Sequence, residues 1–110
     1  MLSNGAYWAA FGTAGQRCTS LGNLILHQDI HDEFMAGFMA KVESTIIGDS
    51  LHDGEVLYGP MLSEKYATDF LKDLEMCEAD GATKLFGKGR ISTENHPPGF
   101  VGNAEQGVYM

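Results

Sequence analysis

The sequence predicts an α/β fold, and three observations carry that prediction. Two long segments, Ile30 to Ile46 and Tyr66 to Cys77, repeat apolar residues at helical spacing. Two short apolar runs, Leu24-Ile25-Leu26-His27 and Thr83-Lys84-Leu85-Phe86, have strand length instead. Between the first helix-like stretch and the first of these runs lies Phe11-Gly12-Thr13-Ala14-Gly15-Gln16-Arg17-Cys18-Thr19-Ser20, a series of small residues that holds a cysteine. The predicted order is helix, cysteine loop, strand, two helices, strand.

Asn4 is a candidate N-cap for the first helix, where Ala6, Tyr7, Trp8, Ala9, Ala10 and Phe11 follow it. Apolar groups lie all round that segment, which predicts burial. Leu24 to His27 fits a strand covered on both faces. Ile30, Phe34, Phe38, Val42 and Ile46 then recur at four-residue steps, with Asp32 and Glu33 placed in the first turn to favour the helix dipole. Gly48-Asp49 opens a polar loop that runs through Gly54 to Gly59-Pro60. Ser63 is the N-cap expected for the next helix, with Leu62 and Ala67 spaced as a weak hydrophobic staple. Tyr66, Phe70, Leu71, Leu74 and Cys77 share its apolar face, so Cys77 is expected in the core. Gly81 suits the left-handed position that ends a helix. From Gly87 onward no period survives, and that tail reads as loop.

A length of 110 residues bounds the chain to one domain or part of one. Its 15 acidic and 7 basic side chains give a net charge of −8, and no cluster of Lys or Arg offers the counterion release that nucleic acids require. Nucleic-acid and anionic-membrane partners are therefore excluded by charge. Two cysteines are too few for a secreted disulfide scaffold and read as free thiols. Residues 1–10 lack the basic and apolar regions of a signal peptide, and no apolar run approaches the roughly 20 residues of a membrane span. The expected location is cytoplasmic.

Gly15-Gln16-Arg17-Cys18 presents a thiol rather than packing it away. Small residues permit a tight turn with room beside the sulfur, and amide donors around such a turn stabilise negative charge. This segment resembles the active-site cysteine motif of the NAD(P)-dependent aldehyde dehydrogenases, in which Gly-Gln-x-Cys carries the nucleophile. The resemblance continues in order through His31-Asp32-Glu33-Phe34, Gly48-Asp49, Gly59-Pro60, Glu78-Ala79-Asp80-Gly81-Ala82 and Leu85-Phe86-Gly87. It covers about residues 9–89, leaving 90–110 as the loop-like tail. Gly12 to Cys18 and Val56-Leu57-Tyr58-Gly59-Pro60 look most like the branch that oxidises aminoadipic semialdehyde.

The resemblance implies that Cys18 attacks an aldehyde as a thiolate, that hydride leaves to NAD or NADP, and that water releases the acid from a thioester. It further implies that the Cys18 N–H serves the oxyanion hole. Gly15, Gln16 and Arg17 would support the loop, and Arg17 would also favour the thiolate electrostatically. The family's dinucleotide-binding domain, its water-activating glutamate and its second oxyanion donor find no counterpart in these residues. Residues 1–110 are thus expected to form a partial catalytic domain that binds no cofactor alone, begins inside the helix before the cysteine, and self-associates to cover bare edges. A non-enzymatic assembly module or a remnant reading frame is the rival reading, and a thiol-reactive protein that needs no cofactor is a third. No metal site is expected: His27 and His31 lie four apart with Asp29 and His52 nearby, but a strand ending at His27 breaks their common face. Gly12-x-x-Gly15 and Gly87-Lys88-Gly89 lack the spacing of a phosphate loop.

Overall fold

The structure, a computed structural model, describes residues 2–49, 51, 55–91, 101–103 and 108–109, the last two groups by their backbone. Helix α1 spans Leu2–Phe11, a tight turn follows at Gly12–Gly15, and helix α2 spans Gln28–Glu43. Strand β1 (Ile46–Gly48), helix α3 (Glu64–Ala79) and strands β2 (Arg90–Ile91), β3 (Val101–Asn103) and β4 (Val108–Tyr109) complete the order. The α/β class expected from the sequence is the one observed.

α1 starts before Asn4, which therefore occupies its first turn rather than its cap. Local composition fixes a helix end only to within a turn. The helix is also less buried than its composition suggested: Tyr7 is buried, whereas Trp8 is 54% exposed. One neighbour covers one face. That neighbour is α2, met through Phe11 and Phe38 with ring centroids 6.0 Å apart, while Phe34 stacks on Phe38 at 5.9 Å.

His27 caps α2, its Nδ1 accepting the Asp29 N–H at 3.3 Å. The first turn accordingly holds Asp29, and Asp32 and Glu33 lie one turn further on. The apolar stripe runs from Ile30 through Val42 but does not reach Ile46, which belongs to β1. The hydroxyls of Ser44 and Thr45 both donate to the Lys41 carbonyl at 2.9 Å. Such local bonds compete with the helical ladder and stop it there. Thr45 is also bonded to the buried Tyr7 hydroxyl at 2.7 Å, which fastens α1 to the end of α2.

β1 is the hub of the core. Ile47, fully buried, packs with Ile91, Tyr58 and Phe86. On one side β1 pairs antiparallel with β3, in register Ile46↔Asn103, Ile47↔Gly102 and Gly48↔Val101. On the other, Ile47 forms a parallel bridge with Tyr58, flanked by Leu57 N–H to Ile46 O at 2.9 Å and Gly48 N–H to Tyr58 O at 3.2 Å. β2 pairs parallel with β4, in register Arg90↔Val108 and Ile91↔Tyr109.

Both strands expected from apolar runs are absent. Residues 24–27 enter no ladder, and Ile25 is 95% exposed. Residues 83–86 form no strand either, although Phe86 reaches the core. A strand exists only where a second backbone satisfies it, and none meets these runs among the described residues. The tail expected as loop instead supplies β2, β3 and β4; residues 92–100 and 104–107 of it lie outside the described residues, as do Gly54 and most of the polar loop before it.

Ser63 occupies the N-cap of α3 in extended conformation, without a side-chain cap bond. Leu62 is exposed, so the staple with Ala67 does not form. Gly81 does take the left-handed conformation, at φ +97°. Of α3 only Ala67 is buried, and Cys77 is exposed rather than in the core. Its apolar face finds cover only near Ala67, and Tyr66, Phe70 and Met76 remain largely bare. No helix among the described residues is long and apolar enough to cross a membrane.

Candidate active site around Cys18

The cysteine loop is hung from the open end of α1. A helix cannot satisfy its own last four carbonyls. Here the Trp8 carbonyl accepts an Arg17 guanidinium N–H at 3.0 Å, and the Ala9 carbonyl accepts the Leu21 N–H at 3.0 Å. Between those two pins the chain makes two turns. In the first, Thr13, Ala14 and Gly15 all adopt left-handed backbone, with φ of 58°, 54° and 69°. For Thr13 and Ala14 that costs roughly 1–2 kcal/mol each, strain of a kind that collects where a site needs an unusual path. Gly15 admits no side chain at all comfortably, because a Cβ there would stand 3.0 Å from the Ala10 carbonyl oxygen.

The second turn, Arg17 to Ser20, closes by Ser20 N–H to Arg17 O at 3.0 Å and by Arg17 N–H to Ser20 Oγ at 3.2 Å. Cys18 and Thr19 are its two corner residues, and Cys18 is exposed. Neither corner amide donates a hydrogen bond among the described residues. A solvent-facing thiol therefore sits beside two open N–H groups, the elements from which an oxyanion site is assembled.

Gln16 and Arg17 reach in different directions. Gln16 Oε1 accepts the Leu62 N–H at 2.9 Å, tying the loop to the segment that enters α3. The Arg17 guanidinium is engaged at the end of α1. Together they bound a cavity of about 530 Å³ beneath the loop, walled by Phe11, Tyr58, Met61 and Phe70. Cys18 stands at the loop above this cavity and does not line it. Burial, and then Tyr7, push the Tyr58 hydroxyl above its ordinary range, so it is a neutral group in that wall.

Trp8, Gly12, Tyr58 and Leu62 take part in this arrangement without having been legible in the sequence. Trp8 and Leu62 contribute backbone atoms, which no residue type announces. The histidines contribute to α2 instead: His27 as its cap, and His31 through a 2.9 Å bond to Asp32. No group of three or more His, Cys, Asp or Glu among the described residues is placed to hold a metal. His52 lies outside the described residues.

The profile of the aldehyde dehydrogenase family covers residues 2–102, and the chain belongs to that family. Among its relatives, an alpha-aminoadipic semialdehyde dehydrogenase of Rattus norvegicus is 34% identical over 96 residues, 87% of this chain and 17% of that protein. An alpha-ketoglutarate semialdehyde dehydrogenase of Haloferax volcanii is 38% identical over 79 residues, 72% of the chain and 16% of its own length. A malonate-semialdehyde dehydrogenase of Shouchella clausii is 35% identical over 95 residues, 86% and 18% respectively. The chain thus spans less than a fifth of the length of these curated relatives. The family match reaches both ends of the ordered resemblance seen in the sequence and passes beyond them.

Proposed function

We propose that this chain forms the nucleophile-bearing part of an NAD(P)-dependent aldehyde dehydrogenase, with Cys18 as the attacking group. The observation that carries this reading is the exposed Cys18 at the corner of a turn with two open amides. The thiolate sulfur adds to the aldehyde carbonyl carbon, the carbonyl π electrons move onto oxygen, and the Cys18 N–H donates to that oxyanion. Gly15 shapes the approach to the turn, and Gln16 and Arg17 fix its two sides. The acceptor of hydride, NAD or NADP, follows from the family. The described residues do not fit it: the Gly12–Gly15 turn follows a helix rather than a strand and leads into the cysteine turn, so no dinucleotide cradle is built here. The semialdehyde names of several relatives support a small aldehyde with a second polar end as the substrate class.

The test is a chimera in which this chain replaces the matching segment of the rat relative. A folded, NAD(P)-binding chimera that reduces cofactor on addition of a semialdehyde supports the reading. The same chimera binding cofactor without reducing it overturns the reading.

Self-association belongs to the proposal. Ile25 and Leu62 are largely exposed, Ile25 at 95%, with Leu24 and Leu85 partly so, and fully burying a side chain as bare as Ile25 would gain about 1.5–3 kcal/mol. The same surface is what the assembly-module alternative would use. Light scattering on the eluting chain is expected to give at least twice the 11.9 kDa chain mass; a monomer at micromolar concentration counts against it.

A further inference from the structure

We propose that Gly12 is a positioning residue for the Cys18 turn, because its bare α-carbon is the seat across which the Arg17 guanidinium reaches the Trp8 carbonyl. The inference gives Gly12 a catalytic meaning only through the reading of Cys18 as nucleophile, but its geometry stands alone. Gly12 is buried, and its φ lies outside the left-handed region that would demand glycine. Its bare α-carbon instead leaves the room that the guanidinium occupies. A Cβ built on Gly12 would stand 2.7 Å from Arg17 Nη2 and 3.4 Å from Cζ, with the Trp8 ring 3.9 Å away. A methyl group there pushes the guanidinium off this seat, a displacement that the flexible end of an arginine makes at little cost but that breaks its bond to the Trp8 carbonyl.

The consequence reaches Cys18 through the two pins on α1. Arg17, immediately before the cysteine, is held on the Trp8 carbonyl, and Leu21, just past the turn, on the Ala9 carbonyl. Displacing the guanidinium cuts the first pin and leaves the turn held by the Leu21 pin and by Gln16 on Leu62. The Cys18 and Thr19 amides then lose their fixed placement beside the sulfur, and the turn that presents it for attack is loosened.

The experiment compares iodoacetamide alkylation of Cys18 with that of Cys77, an exposed thiol on α3 that serves as a reference within the same molecule. Gly12→Ala and Arg17→Met are each expected to lower the Cys18:Cys77 rate ratio about threefold and to speed amide exchange at Ser20 and Leu21. The double variant is expected to show the loss of either single change and no more, since the alanine methyl meets an empty slot once Arg17 is gone. That non-additivity separates positioning from general damage, and the double variant serves even where Gly12→Ala alone folds poorly. An unchanged or raised ratio in Arg17→Met overturns the proposal, as does a double variant whose losses multiply. Alkylation needs no turnover, so this outcome is independent of the chimera result.

Discussion

Cys18→Ser in the chimera should lower aldehyde-dependent reduction of NAD(P) by on the order of 10⁴-fold or more, with cofactor binding and soluble yield unchanged. Serine keeps the size and the turn but replaces sulfur by a hydroxyl that stays protonated near neutral pH. No residue of the Gly15–Ser20 loop is a base that would activate it. Because Cys18 is exposed and packs no core, the loss would be chemical rather than structural. Cys77→Ser, on the solvent side of α3, should leave turnover within about twofold. Steady-state assays of the two variants side by side check both statements, and retention of turnover by Cys18→Ser would remove the nucleophile from this site.

Ile47→Ala should destabilise the fold by about 2–5 kcal/mol. The side chain is fully buried against Ile91, Tyr58 and Phe86, and its strand is the element shared by the pairings with β3 and with Tyr58. The core is small: Tyr7, Val42, Ala67 and Ile91 are the other buried apolar residues among those described. Little is available to collapse into the cavity that alanine leaves, which places the cost in the upper half of the range. Against a total stability on the order of 5–15 kcal/mol, that is a large share. Urea unfolding followed by circular dichroism should show the midpoint lowered by about 1–5 M, the loss divided by a slope of about 1–3 kcal/mol per M. A shift below about 0.3 M would mean that β1 is not the centre of the core.

What was legible in the sequence tracks how each element is held together. α2 and α3 close their hydrogen bonds within themselves, so the spacing of Phe34, Phe38 and Val42, or of Phe70 and Leu74, was enough to place them. Strands borrow half their bonds from elsewhere. Leu24 to His27 and Thr83 to Phe86 have strand composition but no partner backbone among the described residues, while Ile46 to Gly48 was hidden inside a helical stripe that Ser44 and Thr45 interrupt. Cys77 shows the limit of periodicity in another way: it lies in step with the apolar residues of α3, but it is exposed. At the candidate site, Cys18, Gly15, Gln16 and Arg17 could be singled out by type and order. The direction each one faces could not. Gln16 meets an amide 46 positions away and Arg17 a carbonyl of the preceding helix, and neither partner leaves a mark on residue identity.

The double pairing of Ile47 also sets an order of opening. Its bridge to Tyr58 closes a loop roughly one fifth as long as its pairing with Gly102, a difference worth about 1.4 kcal/mol in closure entropy. The Tyr58 side is therefore the cheaper one to keep shut and the first to recover after a fluctuation. Tyr58 walls the cavity beneath the cysteine loop. The wall of the cavity next to the cysteine loop is in this way coupled to the short-range half of the sheet.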